Sequence, residues 1–161
     1  MTAPGRNART RRGLAWAVAL VVLALGGLSH RQARSDTADD RARAGALAAG
    51  RTAVTVLTSA DAADPAATRA RWLSVTHAPL HDRLGAAPAP DQTVRASLAG
   101  AALTALDPAA GTARLIAVVR LERVSATGGS STDRRRVTVS LTRTGDGWKA
   151  ADLATVPVAA A

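Results

Sequence analysis

The period of the apolar residues changes at Asp91, and this change limits the fold more than any other feature of the chain. Upstream of it, Leu47, Gly50, Val54 and Leu57 recur at spacings of three and four, with Ala46 and Ala53 alongside. Such spacing lines one face of a helix running from about residue 37 to Thr58, with Arg41, Arg43 and Arg51 on its other faces. Asp36 or Thr37 supplies the cap, and Asp39 and Asp40 suit the positive end of the helix dipole. A second, short helix begins at Asp64-Pro65, a cap residue followed by a residue whose fixed φ suits the first turn, and it carries Trp72. A third, from Pro79 to Leu84, stops at Gly85, and the alanine- and proline-rich run after it reads as a loop.

Downstream, the period is two. Val94, Ala96 and Leu98 alternate, and the phase then shifts across Gly100 to Leu103 and Ala105, as in a bulged strand. Asp107 to Gly111 reads as a turn. Leu115, Ala117, Val119 and Leu121 alternate with Ile116, Val118, Arg120 and Glu122. After a loop expected over residues 127–133, Val137, Val139 and Leu141 define a half-buried strand. A tight Gly145-Asp146-Gly147 connection leads into a last strand from Trp148 to Val156. Helices followed by consecutive strands on short turns predict an α+β domain. The expected architecture is a long helix, two short ones and a curved four-stranded antiparallel sheet wrapped around the long helix.

Residues Gly13 to Leu28 form a 16-residue stretch without a charge. As a helix it spans roughly 24 Å against a bilayer core of ~30 Å, a shortfall that snorkelling and local thinning absorb. It is apolar all round, unlike a buried helix of a small domain. Arg6, Arg9, Arg11 and Arg12 precede it, and Trp16 sits near one end where an indole favours the interface. A basic cytoplasmic tail (1–12), a transmembrane helix (13–29), a juxtamembrane linker (30–36) and an extracytoplasmic domain (37–161) follow from the positive-inside rule. The predicted location is therefore the cell membrane, single-pass, with these arginines and Trp16 contacting the bilayer and its anionic lipids. A cleaved signal peptide is the alternative, although the stretch lacks an Ala-x-Ala cleavage site.

The formal charge is +9, from 21 basic and 12 acidic residues. Four of the basic residues belong to the topological signal, which leaves 17 against 12 for the rest. Phe and Tyr are absent and Trp is present three times, so aromatic rings do not interleave the basic residues as single-stranded nucleic-acid binding requires. Nucleic acid is not an expected partner. With no cysteine, disulfides and thiolate chemistry drop out.

Three segments carry a family resemblance: ALAAGRTAVTVLTS (46–59), WLSVTHAPLHDRL (72–84) and LTRTGDGWKAADL (141–153). With the apolar segment ahead of them, they make the chain resemble the small actinobacterial membrane proteins associated with mammalian-cell-entry (Mce) transport. The domain resembles the nuclear transport factor 2 (NTF2)-like, or cystatin-like, cone. One departure is the absence of an aromatic or acidic pair where Ser59-Ala60-Asp61 stands. The resemblance implies an accessory role in envelope transport or assembly, without enzymatic activity.

The residues themselves offer little chemistry. His77 and His81 stand four apart, but Pro79 intervenes, Ala78 occupies the glutamate position of a zinc-protease motif and no third ligand is evident, so no metal is expected. No serine lies in a G-x-S-x-G turn. No cofactor motif is present. Arg134-Arg135-Arg136 is read as a solvated loop, with contact to anionic lipid as the sharper alternative. Trp72 and Trp148 are expected to pack close together against the long helix, and with His77 they are the candidate ligand-binding residues of an aliphatic cone. The expected function is a non-enzymatic, membrane-anchored accessory or scaffold module. It would mediate contact with an envelope protein or another copy of itself, with Ile116 and Val118 suited to pairing. The alternative is a binding domain for a lipid or small apolar ligand, and an anchored enzyme or a cleaved secreted protein ranks below both.

Overall fold

A glycine in the middle of the long helix decides how closely that helix meets the sheet. The computed structural model describes residues 37–124 and 129–156, and the tail, the apolar segment with Trp16 and the linker expected at the N-terminus lie outside them. Residues 37–58 form α1. Its buried face runs through Ala42, Ala46, Gly50, Ala53 and Val54, while Leu47 and Leu57 pack at the flank. The stripe expected through Leu47 and Leu57 is thus rotated toward the alanines. The cause is steric: a Cβ at Gly50 would stand 2.7 Å from Leu115 Cδ1 and 3.2 Å from Leu141 Cδ1. Small groups let helix and sheet approach, and that approach buries the large aliphatics of the sheet.

The end of α1 is satisfied by local side chains. Thr55 Oγ1, Thr58 Oγ1 and Ser59 Oγ each donate to the carbonyl four residues back. The Trp72 indole N–H donates to the carbonyls of Val56 and Ser59 at 3.1 and 2.9 Å. Of these, the bonds to the Thr55, Val56 and Ser59 carbonyls engage the groups at and just past the helix terminus that an isolated helix leaves without intrahelical partners. Trp72 is carried by α2 (Pro65–Ser74), which starts as expected: the Asp64 carboxylate accepts from Ala67 N–H at 2.9 Å and Pro65 fills the first turn. The third helix, α3 (Leu80–Gly85), buries Leu80.

Four strands follow, β1 (Thr93–Asp107), β2 (Thr112–Val124), β3 (Ser130–Thr144) and β4 (Gly147–Val156). They pair antiparallel in the order β1-β2-β3-β4, a curved meander. Register shifts between Leu98 and Gly100, between Leu103 and Ala105, and between Ser140 and Leu141 bend it. The first was legible at Gly100. The second was not, and it turns Leu106 inward while Ala105 is exposed, reversing the expectation for Ala105.

The inward face of β2 and β3 carries Leu115, Val119, Val139 and Leu141, all at most 1% exposed, against Val54 of α1. Both sheet edges are partly covered: Ala60 bridges Val94 of β1, and Thr76 bridges Ala150 of β4. Covering an edge removes a template for unwanted strand pairing. Residues 130–133 of the loop expected over 127–133 belong to a strand, because β3 begins at Ser130. Arg134, Arg135 and Arg136 therefore sit in a strand, and the alternation of a strand sends them to different faces.

Candidate functional site

Strand alternation divides the three arginines. Arg135 stands in register with buried Val119, on the inward side of the sheet beyond the helices' cover, and its Nε donates to Asp133 Oδ2 at 3.0 Å. Arg123 approaches the same carboxylate at 3.7 Å. The hydrogen bond from Arg135 is the main reason that the Asp133 carboxyl is held below the ordinary aspartate value, with both guanidinium charges adding to it.

Arg134 and Arg136 take the opposite, outward face. Arg120 of β2 is the direct register partner of Arg134, and Ser97 of β1 flanks Arg120 on its other side. Val118 is the partner of Arg136, which is flanked on β4 by Val156. Arg120, Arg134 and Arg136 are all exposed, and none of them joins an ion pair among the described residues. Two like charges held directly across a strand pair repel, at a cost of roughly 0.2–1 kcal/mol. Glu122 is the nearest carboxylate on this face, opposite Arg95 and Thr132.

Beside the arginines lies a shallow depression of about 440 Å³, lined by Gly100, Ala101, Ala102, Ile116, Ala117, Val118 and Arg136. Its walls are apolar and its side chains small. Val118 is 36% exposed, the one large hydrophobic residue left open among the described residues. The bulge after Leu98 sets Gly100 opposite Val118, and a Cβ on Gly100 would meet open space. The depression is therefore floored by strands, and a side chain at position 100 would have room to enter it.

A second concavity is more polar. A cleft of about 330 Å³ near the end of α1 is lined by Ser59, Asp61, Arg71, Thr93 and Arg95, among others. Several of its polar groups are engaged within the domain: Asp61 Oδ1 accepts from Ala63 N–H at 2.9 Å and from Thr93 Oγ1 at 3.4 Å, while an Arg71 guanidinium N–H donates to Thr68 Oγ1 at 3.1 Å.

The residues singled out from the sequence do not meet in one place. Trp72 binds the end of α1, whereas the Trp148 ring is half-buried beside Gly45, 3.5 Å from where a Cβ would stand. These contacts lie about 16 Å apart along the helix axis at 1.5 Å per residue, so the two rings do not pack together as expected. The His77 side chain is exposed and its backbone N–H donates to Ala150 O at 2.8 Å. His81 Nδ1 lies 3.4 Å from Thr76 Oγ1. Among the described residues, no three histidine or carboxylate side chains gather into a metal-ligand set. Arg120 and Glu122 do share the outward face, as the alternation implies. The pairing of Arg120 with Arg134 was missed, because register is a property of two strands and their turn, not of either strand alone.

No protein-family pattern and no curated protein matches the sequence. Solved structures do match the fold. An IcmL-like type IV secretion system protein from Legionella pneumophila superposes with a TM-score of 0.57 at 12% identity, over 74% of this chain and 95% of that one. An NTF2-like protein involved in plasmid conjugation superposes with a TM-score of 0.55 at 9% identity, over 74% of this chain and 51% of that one. This chain thus spans about half the length of the conjugation protein. The domain has the NTF2-like fold. At these identities the likeness concerns the fold, and a fold hosts both binding proteins and enzymes. Among the described residues of this NTF2-like domain the buried polar ones are Thr68 and Thr76, and none of the buried side chains is titratable.

Proposed function

We propose that the chain is a membrane-anchored accessory or scaffold module of the cell envelope, mediating protein–protein contact in a transport or secretion assembly. The observation that carries this reading is the contrast within one sheet. The inward face is closed by α1, whereas the outward face leaves Val118, part of Ile116 and the arginines Arg120, Arg134 and Arg136, in no ion pair among the described residues, open to a partner. Interfaces are enriched in arginine and have apolar centres. The names of two proteins of similar fold, one from type IV secretion and one from plasmid conjugation, support an assembly role. The resemblance to Mce-associated membrane proteins supports an envelope location in actinobacteria. Anchoring rests on residues 13–28 and the arginines before them, since no described helix is long and apolar enough to cross a membrane.

A non-enzymatic role agrees with a core of Leu, Val and Ala. The lipid-binding alternative placed its ligand inside the cone, where the central side chains are packed. Protease shaving of spheroplasts combined with native mass spectrometry of the detergent-extracted full chain tests the proposal. A domain cleaved from outside and a defined protein partner or oligomer are expected. A domain protected in intact spheroplasts, or a chain carrying bound lipid and no protein partner, would overturn it.

A further inference from the structure

The outward face specifies the chemistry of its occupant. Arg120 and Arg134 oppose each other across β2 and β3, and Arg136 follows Arg134 on the same face. Glu122 stands two residues along β2 on the same face, but neither guanidinium of the opposed pair is ion-paired among the described residues, an unfavourable arrangement that an incoming anion would relieve. Next to the arginines is the small-walled depression of about 440 Å³, with Ile116 and Val118 in it. Cationic border and apolar seat lie side by side across β1, β2 and β3, within reach of one short extended segment.

We infer that this face docks a segment of a protein partner in which carboxylates alternate with aliphatic residues, the carboxylates meeting Arg120, Arg134 and Arg136 and an aliphatic side chain entering beside Val118. This rests on the reading of the chain as an interaction module and names the surface and the partner's chemistry. A second copy of the chain is a poor occupant for the same face, since two such faces would set arginines against arginines. That replaces the self-pairing expected through Ile116 and Val118. A lipid surface fits less well, because neither tryptophan of the described domain lies on this face: Trp72 is held at the end of α1 and Trp148 beside Gly45. Nucleic acid lacks stacking platforms here for the same reason.

The test uses the full chain in neutral detergent micelles and a defined probe, an acetylated and amidated peptide of sequence Glu-Glu-Leu-Glu-Val-Glu-Leu-Glu. Binding by calorimetry should slow hydrogen exchange in β2 and β3, weaken as salt rises, and fall about tenfold or more in Arg134→Glu. Gly100→Leu, which puts a side chain into the depression without touching the charges, should weaken it as well. A Gln-for-Glu peptide and a Ser-for-Leu/Val peptide should both bind worse. Equal affinity for the Ser-for-Leu/Val peptide, or no loss in either variant, would overturn the inference. So would arginine-dependent binding to phosphatidylglycerol vesicles or to a mixed-sequence DNA strand that matches binding to the peptide. In cells, a partner lost from Arg134→Glu but kept by wild type supports this surface. A partner kept by both would sink this surface and leave the module reading standing, whereas no partner for either would remove that reading with it.

Discussion

The two faces of the NTF2-like sheet are built from alternate residues of the same strands, yet they obey different rules. On β2, Leu115, Ala117, Val119 and Leu121 are buried, while Arg114, Val118, Arg120 and Glu122 are exposed. The inward set is selected for volume: a helix of small residues is pressed on it, and Gly50 has no room for a methyl group. The outward set tolerates what a stability-driven surface would avoid, an arginine opposite an arginine and an open valine. The packing that stabilises the domain is concentrated on one side of the sheet, and the proposed docking surface lies on the other. Substitutions can separate the two properties.

The largest expected effect breaks the inward side. Leu115→Ala should destabilise the domain by about 2–5 kcal/mol, because the packed surroundings cannot collapse into the space left. Thermal unfolding reads this directly, and a loss below about 1 kcal/mol would mean that the core is not centred there. Gly50→Val comes next, at about 1–3 kcal/mol from overpacking against Leu115 and Leu141. An unchanged melting temperature would contradict the close approach of α1. Trp72→Phe keeps the ring but removes the N–H shared by Val56 and Ser59 carbonyls. It should cost about 1 kcal/mol, with faster hydrogen exchange at the end of α1.

The remaining predictions concern the charged groups. Arg134→Glu should leave stability unchanged or raise it by a few tenths of a kcal/mol (about 0.2–0.5), since it turns an opposed like pair into an opposite pair. A large destabilisation would show that Arg134 is structural. The smallest effect is at Asp133, whose pKa is lowered in the folded state. Its contribution is therefore present above the ordinary aspartate value of about 3.9 and is lost as pH falls through the lower folded value. Comparing melting temperatures of wild type and Asp133→Asn should show a difference at neutral pH that fades on acidification and on adding salt. A difference that grew on acidification would reverse the assignment.

Element type and order were legible because they depend on local spacing. The 37–58 helix, the Asp64-Pro65 start, the bulge near Gly100 and the alternation of β2 each show in a few consecutive residues. The outward face was half legible. Arg120 and Glu122 could be placed on it, but the Arg134-Arg135-Arg136 run looked like a loop, since three charges in succession carry no period. Trp72 and Trp148 were recognised as anchors and wrongly brought together, because their partners on α1 lie far apart in sequence from either ring.

By itself the sequence determined the order of helices and strands and which residues of β2, and of β3 from Val137 onward, turn inward, since those follow from side-chain period and turn chemistry. Only the tertiary structure decided which face of α1 meets the sheet, what caps its end, and that Arg120 stands across from Arg134 while Arg135 turns to Asp133. Those outcomes depend on register and on close approach between distant segments. They are set by the packing of the whole domain and cannot be computed from any one stretch of it.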